Sequence, residues 1–142
     1  MSYILIIDDN KLVSACVALE LKGENFRVKT AENGKIALSM LEVSTPDVII
    51  CDVRMPVMDG LTFVRIIKSW DAMRHIPVII YTSMPEEKEQ QVFKNLGVTN
   101  YHFKGCDSSI LIQSIKQSLN EIAAHFIFKN VLFSGILTKQ QN

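Results

Sequence analysis

What most restricts the fold is an alternation. Short apolar runs rich in β-formers alternate five times with stretches of about ten residues or more whose apolar side chains recur at helical spacing. The first run is Tyr3 to Ile7, which stops at Asp8-Asp9, and "KLVSACVALELKGEN" follows it with Leu12, Val13, Cys16, Val17, Leu19 and Leu21 near the helical period. "FRVKTA" then leads into "ENGKIALSMLEVS", where Ile36, Ala37, Met40 and Leu41 share one face. Val48 to Cys51, opened by Pro46-Asp47, leads through a loop ending at Gly60 into "LTFVRIIKSW". "IPVIIYTS" precedes "EEKEQQVFKNLG", which Gly97 is placed to close as a C-cap, and "VTNYHF" precedes "DSSILIQSIKQSLNEIAAHF", which Asp107 or Ser108 is placed to cap. Strands separated by helices are joined by crossovers, which predicts an α/β domain with a mainly parallel sheet and helices on both faces. The near-continuous apolar strands "ILII", "VIIC" and "VII" suit the buried centre, and the polar-interrupted "FRVKTA" suits an edge.

A chain of 142 residues fits one such domain. Fifteen basic and fifteen acidic side chains cancel, so no global field favours nucleic acid. No zinc-ligand spacing, glycine-rich nucleotide loop or DNA-binding motif is present. Three scattered cysteines, Cys16, Cys51 and Cys106, two of them within apolar periodic segments, predict buried thiols in a reducing compartment rather than disulfides. The N-terminus lacks a basic segment, and its apolar run is too short for a signal peptide or a membrane span, so the expected location is the cytoplasm, with no membrane partner.

In open parallel sheets the working crevice lies beyond the carboxyl ends of the strands. Strand one ends in Asp8-Asp9, strand three in Asp52, strand four in Thr82-Ser83 and strand five in Phe103-Lys104. Taken singly, each is ordinarily a turn residue, a helix cap or a solvated charge; together they fall on one rim. Two like charges at about 4 Å repel by on the order of 4 kcal/mol at an effective dielectric near 20, so three carboxylates there call for a proton or a cation. Hard oxygen donors without His or Cys favour Mg²⁺, or Mn²⁺, over zinc. Magnesium of this kind accompanies phosphoryl chemistry, in which a carboxylate can be the nucleophile while a lysine and a hydroxyl stabilise the new oxygens.

The paired acids after strand one, "DVRMPVMDG" after strand three, "PVIIYTS" and "YHFK" together resemble the response-regulator receiver domain of two-component signal transduction, over roughly residues 2–126. The resemblance implies a chemotaxis-regulator-like, flavodoxin-like (βα)5 fold with strand order 2-1-3-4-5. It implies Asp52 as the phosphoacceptor. Asp8, Asp9, Asp52 and the backbone carbonyl of Arg54 would hold Mg²⁺, while Thr82 and Lys104 bind the phosphoryl oxygens. Tyr101 would turn with Thr82 as the switch, and Phe103, on the opposite face of its strand, would belong to the core. The donor would be a sensor histidine kinase or histidine phosphotransfer protein docking near the helix that starts at Lys11. The output would be altered binding of a protein target, with no direct contact to nucleic acid. Such a domain catalyses its own phosphorylation and dephosphorylation without turning over an external substrate.

This chain departs from the family at two places. Gly105 stands where the family has proline after the lysine, which predicts a trans bond or a looser loop. Arg54 and Met84 flank the phosphoryl position and predict a long-lived phosphoaspartate. Residues 127–142 then extend past the receiver domain of residues 1–126 as an apolar segment. Leu119, Ile122, Phe126 and Phe133 would extend the last helix, or "NVLFSGIL" would add a strand, with Ser134-Gly135 breaking either. The segment is expected to pack on its own domain or on a second copy as a homodimer. Met1 just before strand one is what a stand-alone switch would have. Two other functions compete: a docking module independent of phosphorylation, and an Asp-nucleophile phosphatase. The latter wants an acid two residues after its nucleophile, where Arg54 stands.

Overall fold

The computed structural model describes residues 1–105 and 107–140, so Cys106 and the end of the apolar extension, residues 141–142, lie outside the described residues. Five strands form one sheet: β1 (Tyr3–Ile7), β2 (Arg27–Ala31), β3 (Val48–Cys51), β4 (Val78–Thr82) and β5 (Asn100–Phe103). They are separated by α1 (Lys11–Gly23), α2 (Gly34–Leu41), α3 (Gly60–Ser69) and α4 (Glu87–Asn95), and α5 (Ser108–Gln140) follows β5. Every pairing is parallel and the order is β2-β1-β3-β4-β5, the doubly wound arrangement expected.

The strand period of two divides the core. Tyr3, Leu5, Ile7, Ile49, Cys51 and Ile80 face one side, where they pack with Ala37 and Leu41 of α2, Phe63 and Ile67 of α3 and Phe93 of α4. Ile4, Ile6, Val48, Ile50, Ile79 and Tyr81 face the other, with Val17, Ala18 and Leu21 of α1 and Leu111 and Ile115 of α5. Both faces being covered, β1, β3 and β4 are buried at every residue, while β2 is mostly exposed at its edge.

Local chemistry fixes the helix ends. Asn10, Asn33 and Asp59 cap α1, α2 and α3 by accepting from backbone N–H groups of the first turn. Asp107 accepts from Ser109 N–H at the start of α5. After α4, Gly97 takes φ 85°, and Val98 N–H donates to Phe93 C=O while Gly97 N–H donates to Lys94 C=O. That is a Schellman cap, and glycine accepts the left-handed conformation without a Cβ clash.

Three expectations are corrected. In α1 the buried face is Ser14, Val17, Ala18 and Leu21, so Leu12, Cys16 and Leu19 point outward and the Cys16 thiol is exposed. Ser14 occupies the core position because its hydroxyl is satisfied by Asp8 C=O and Asn10 C=O. Phe103 is half exposed rather than core, since it ends an edge strand. Of the two forms expected for the apolar C-terminal segment, the extension of α5 through Leu119, Ile122, Phe126 and Phe133 is the one observed. What is corrected is the break at Ser134-Gly135, which is absent, and packing on its own domain, since Phe126, Ile127, Phe128, Val131, Leu132 and Phe133 stand exposed.

Candidate functional site

The carboxyl ends of β1 and β3 are adjacent, and their backbones set the acids there. Asp52 N–H donates to Ile7 C=O at 2.8 Å, and Asp8 N–H donates to Ala31 C=O at 3.0 Å, so both acids follow directly from the parallel ladder. Asp8 and Asp52 are buried, whereas Asp9 is exposed at the mouth. One ligand oxygen from each of Asp8, Asp9 and Asp52 lies within 4.8 Å of the others. Three hard oxygens at that spacing fit a small divalent cation such as Mg²⁺.

Lys104 reaches into this cluster from the end of β5. Its Nζ lies 2.6 Å from Asp8 Oδ2 and 3.2 Å from Asp52 Oδ2, and its backbone N–H is tied to Thr82 C=O at 2.8 Å. Thr82, at the end of β4, is buried, and its Oγ1 accepts from Met84 N–H at 3.3 Å. The other Asp52 oxygen, Oδ1, accepts from Val53 N–H at 2.8 Å. Burial, then the charge of Asp8, pushes the Asp52 carboxyl above its ordinary value, against the lowering by Lys104 and Val53 N–H. Burial alone would lower the Lys104 ammonium, but its hydrogen bonds and charge contacts with Asp8 and Asp52 outweigh that and raise it. One cation is therefore shared by two acids that repel each other, which leaves the acid cluster short of positive charge.

The loop from β3 to α3 is shaped around Asp52. A Cβ on Gly60 would lie 2.1 Å from the Asp52 carbonyl oxygen, so only glycine permits this approach. Val57 holds φ 70°, rare for a β-branched residue, where Met58 N–H donates to Pro56 C=O at 2.8 Å and closes a γ-turn.

The Arg54 side chain, in the same loop, does not enter the acid cluster; its Nη2 pairs with Glu86 just before α4. Tyr101 on β5 is bound at the same turn. Its hydroxyl donates to Glu89 Oε1 at 3.1 Å and accepts from Glu86 N–H at 3.4 Å, while its ring packs 6.1 Å from that of Phe93. Burial raises the Tyr101 phenol, keeping it protonated as that donor. The structure thus gathers Asp8, Asp9, Asp52, Thr82 and Lys104 at one rim, and ties the Arg54 guanidinium and the Tyr101 hydroxyl to acids at the start of α4. The sequence does not single out Glu86 and Glu89, because their partners are set by strand order, not spacing; Gly60 is visible there only as the end of a loop. The Lys104–Gly105 bond is trans, and Gly105 leaves room for the Phe103 ring, which a Cβ there would meet at 2.2 Å.

Comparison with known proteins agrees with this geometry. The family model for the response regulator receiver domain matches residues 4–116. The response regulator PleD of Caulobacter vibrioides is 32% identical over 113 residues, which cover 80% of this chain but 25% of PleD. This chain thus spans about a quarter of that relative's length. An uncharacterised 14.6 kDa protein of Leptolyngbya boryana is 31% identical over 80% of this chain and 87% of its own. Among solved structures, the chemotaxis response regulator CheY4 of Vibrio cholerae superposes with a TM-score of 0.77 at 28% identity, covering 84% of this chain and 99% of CheY4. The receiver domain of a histidine kinase from Syntrophus aciditrophicus superposes at 0.80 and 28% identity, covering 86% and 92%. With its doubly wound sheet and the acids of its β1 and β3 ends in one crevice, the chain belongs to the response regulator receiver domains of two-component signalling.

Proposed function

We propose that the chain accepts a phosphoryl group on Asp52 from a phosphohistidine of a sensor kinase or phosphotransfer protein, and that the modified form changes which protein it binds. The observation that carries this reading is the convergence of Asp8, Asp9 and Asp52 within 4.8 Å beneath the shared Lys104 ammonium. Asp8, Asp9, Asp52 and the backbone carbonyl of Arg54 would hold Mg²⁺, with Mn²⁺ as a substitute, and when bound it supplies charge neutralisation for the incoming phosphoryl oxygens.

The chain's own groups do the rest. Val53 N–H fixes the Asp52 carboxylate so that one oxygen faces the donor in line. A bond forms from that oxygen to phosphorus as the phosphorus–nitrogen bond to the donor imidazole breaks. Lys104, released from Asp52, and the Thr82 hydroxyl then bind the transferred group's oxygens. Phosphorylation replaces one negative charge with nearly two and adds three acceptors, so Thr82 and Tyr101 move with it. The donor would dock on α1, where Leu12 and Leu19 are exposed beside a hollow lined by Lys11, Ala15 and Ile36. Arg54, once released from Glu86, and the exposed Met84 would screen the product from water and lengthen its lifetime.

The test is labelling by a small-molecule acyl phosphate with and without Mg²⁺. The reading predicts a Mg²⁺-dependent, acid-stable, base-labile label that Asp52→Asn abolishes. Absence of label with intact fold would favour a docking module instead, and catalytic release of phosphate from many substrates would favour a phosphatase.

A further inference from the structure

We propose that residues 122–137 of α5 are a self-association surface whose occupant is the same segment of a second copy, packed antiparallel. The apolar stripe that seats α5 on the sheet through Leu111 and Ile115 does not stop where the domain does. It runs on through Leu119, Ile122, Phe126, Phe133 and Ile136, spaced alternately by three and four residues from Ile115 once Lys129 is counted. This is the repeat of a helix-pairing seam. Eight large side chains from Phe126 to Leu137 are half to two-thirds exposed, Phe126 at 66% and Phe133 at 65%. At about 150–250 Å² for a large side chain they offer roughly 800 Å² of apolar surface over both sides of the helix, about half of it on the seam side. The seam side alone is about half of one partner's share of a standard interface, and the two sides together make up a whole share.

Lys129 decides the orientation. In a parallel pair in register, each seam position faces its own copy, so two Lys129 ammonium groups would meet inside an apolar seam. In an antiparallel pair, the two classes of seam position face each other. Lys129 then lies opposite Phe126 or Phe133 of the second copy, a cation over an aromatic ring. On the far side, Ile127, Phe128, Val131 and Leu132 form a second exposed strip. It allows two such pairs to combine, so two or four copies are both consistent. The extension stands apart from the acid cluster, and the proposal does not rest on the phosphoryl reading.

The experiment uses the full 142-residue chain in sedimentation equilibrium, with acyl-phosphate labelling run in parallel as a separate readout. A mass of two or four chains is expected. The double variant Phe126→Glu, Phe133→Glu should become monomeric with its far-UV circular dichroism in the domain, and its labelling, unchanged. A wild-type monomer, or a double variant that still associates, overturns the proposal. So does a monomer that floats with phosphatidylcholine vesicles, which would mean that the helix lies on lipid. Mixing wild type with Lys129→Glu tests direction. The antiparallel pair predicts no enrichment of mixed over like pairs; several-fold enrichment, from lysine facing glutamate, overturns it. If labelling fails throughout while association holds, the phosphoryl reading falls and this one stands.

Discussion

Asp52 is a buried acid that the fold holds above its ordinary ionisation range, chiefly by burial and then by the charge of Asp8. The folded carboxyl keeps its proton to higher pH than the unfolded one does. Stability contributed by Asp52 is therefore present at low pH and falls as pH rises from the ordinary carboxylate value through the raised one. Asp52→Asn removes that charge while Lys104 keeps its 2.6 Å partner, Asp8. We expect the variant to melt a few degrees higher than wild type at neutral pH, because each tenfold difference in proton affinity between the folded and unfolded carboxyl is worth about 1.4 kcal/mol. The slope of its stability between pH 4 and 7 should also flatten; thermal melts across pH read both effects. Millimolar Mg²⁺ should raise the melting temperature of wild type and have much less effect on Asp52→Asn, because a ligand stabilises only the state that binds it. Gly60→Ala is expected to cost about 1–3 kcal/mol in a denaturant titration, because its Cβ meets backbone rather than a movable side chain. The acids, Thr82 and Lys104 are legible in the sequence because each ends an apolar strand. The glutamates that hold Arg54 and Tyr101 are not, since contacts 32 and 12 residues apart depend on how strands are ordered.

At the scale of elements, the start of α4 holds two groups, Arg54 from the β3–α3 loop through the N-cap residue Glu86 and Tyr101 from β5 through Glu89 of the first turn. Half-exposed ion pairs are worth about 0.2–1 kcal/mol, so this is a restraint that a phosphoryl group on Asp52 can outcompete for the guanidinium. Glu86→Gln should then speed labelling by a small acyl phosphate by at most about fivefold, read as an initial rate. An unchanged rate would mean that the Arg54 pair plays no part in the resting state. Leu19→Glu on α1 should slow transfer from a phosphohistidine protein by roughly tenfold while leaving the small donor's rate alone, since a charge in an apolar contact costs more than about 1 kcal/mol. The same helix shows where periodicity misleads. Val17 and Leu21 turn inward as their spacing predicts, but Leu12, Cys16 and Leu19 form a second apolar face that the sequence does not distinguish from the first. The small, self-satisfied Ser14 beside Asp8 decides which face turns in. The three central strands β1, β3 and β4 are legible almost to the residue, because burial on both faces demands unbroken apolar runs bounded by turn residues, and the edge strands β2 and β5 are placed by the turns and helices around them.

For the whole molecule, the acid crevice and the α5 extension lie at opposite ends of the sheet. The crevice is at the carboxyl ends of parallel strands, and α5 starts on that side and runs away from it for 33 residues, about 50 Å at 1.5 Å per residue. The proposed chemistry and the proposed self-association are thereby separable, and no helix among the described residues is long and apolar enough to cross a membrane. The extension is the least legible part of the chain, because apolar residues flank its seam on the far side as well, so the sequence does not say which side is covered or by what. The central claim concerns one atom set, the carboxylate of Asp52. Its direct test is to label the chain with an acyl phosphate and Mg²⁺, reduce the product with borohydride and identify the altered residue by peptide mass. An acyl phosphate on aspartate is thereby converted to homoserine. Homoserine at position 52 alone is the predicted result; homoserine at position 8 or 9, or phosphate retained on a serine, threonine or histidine with position 52 unaltered, would contradict it.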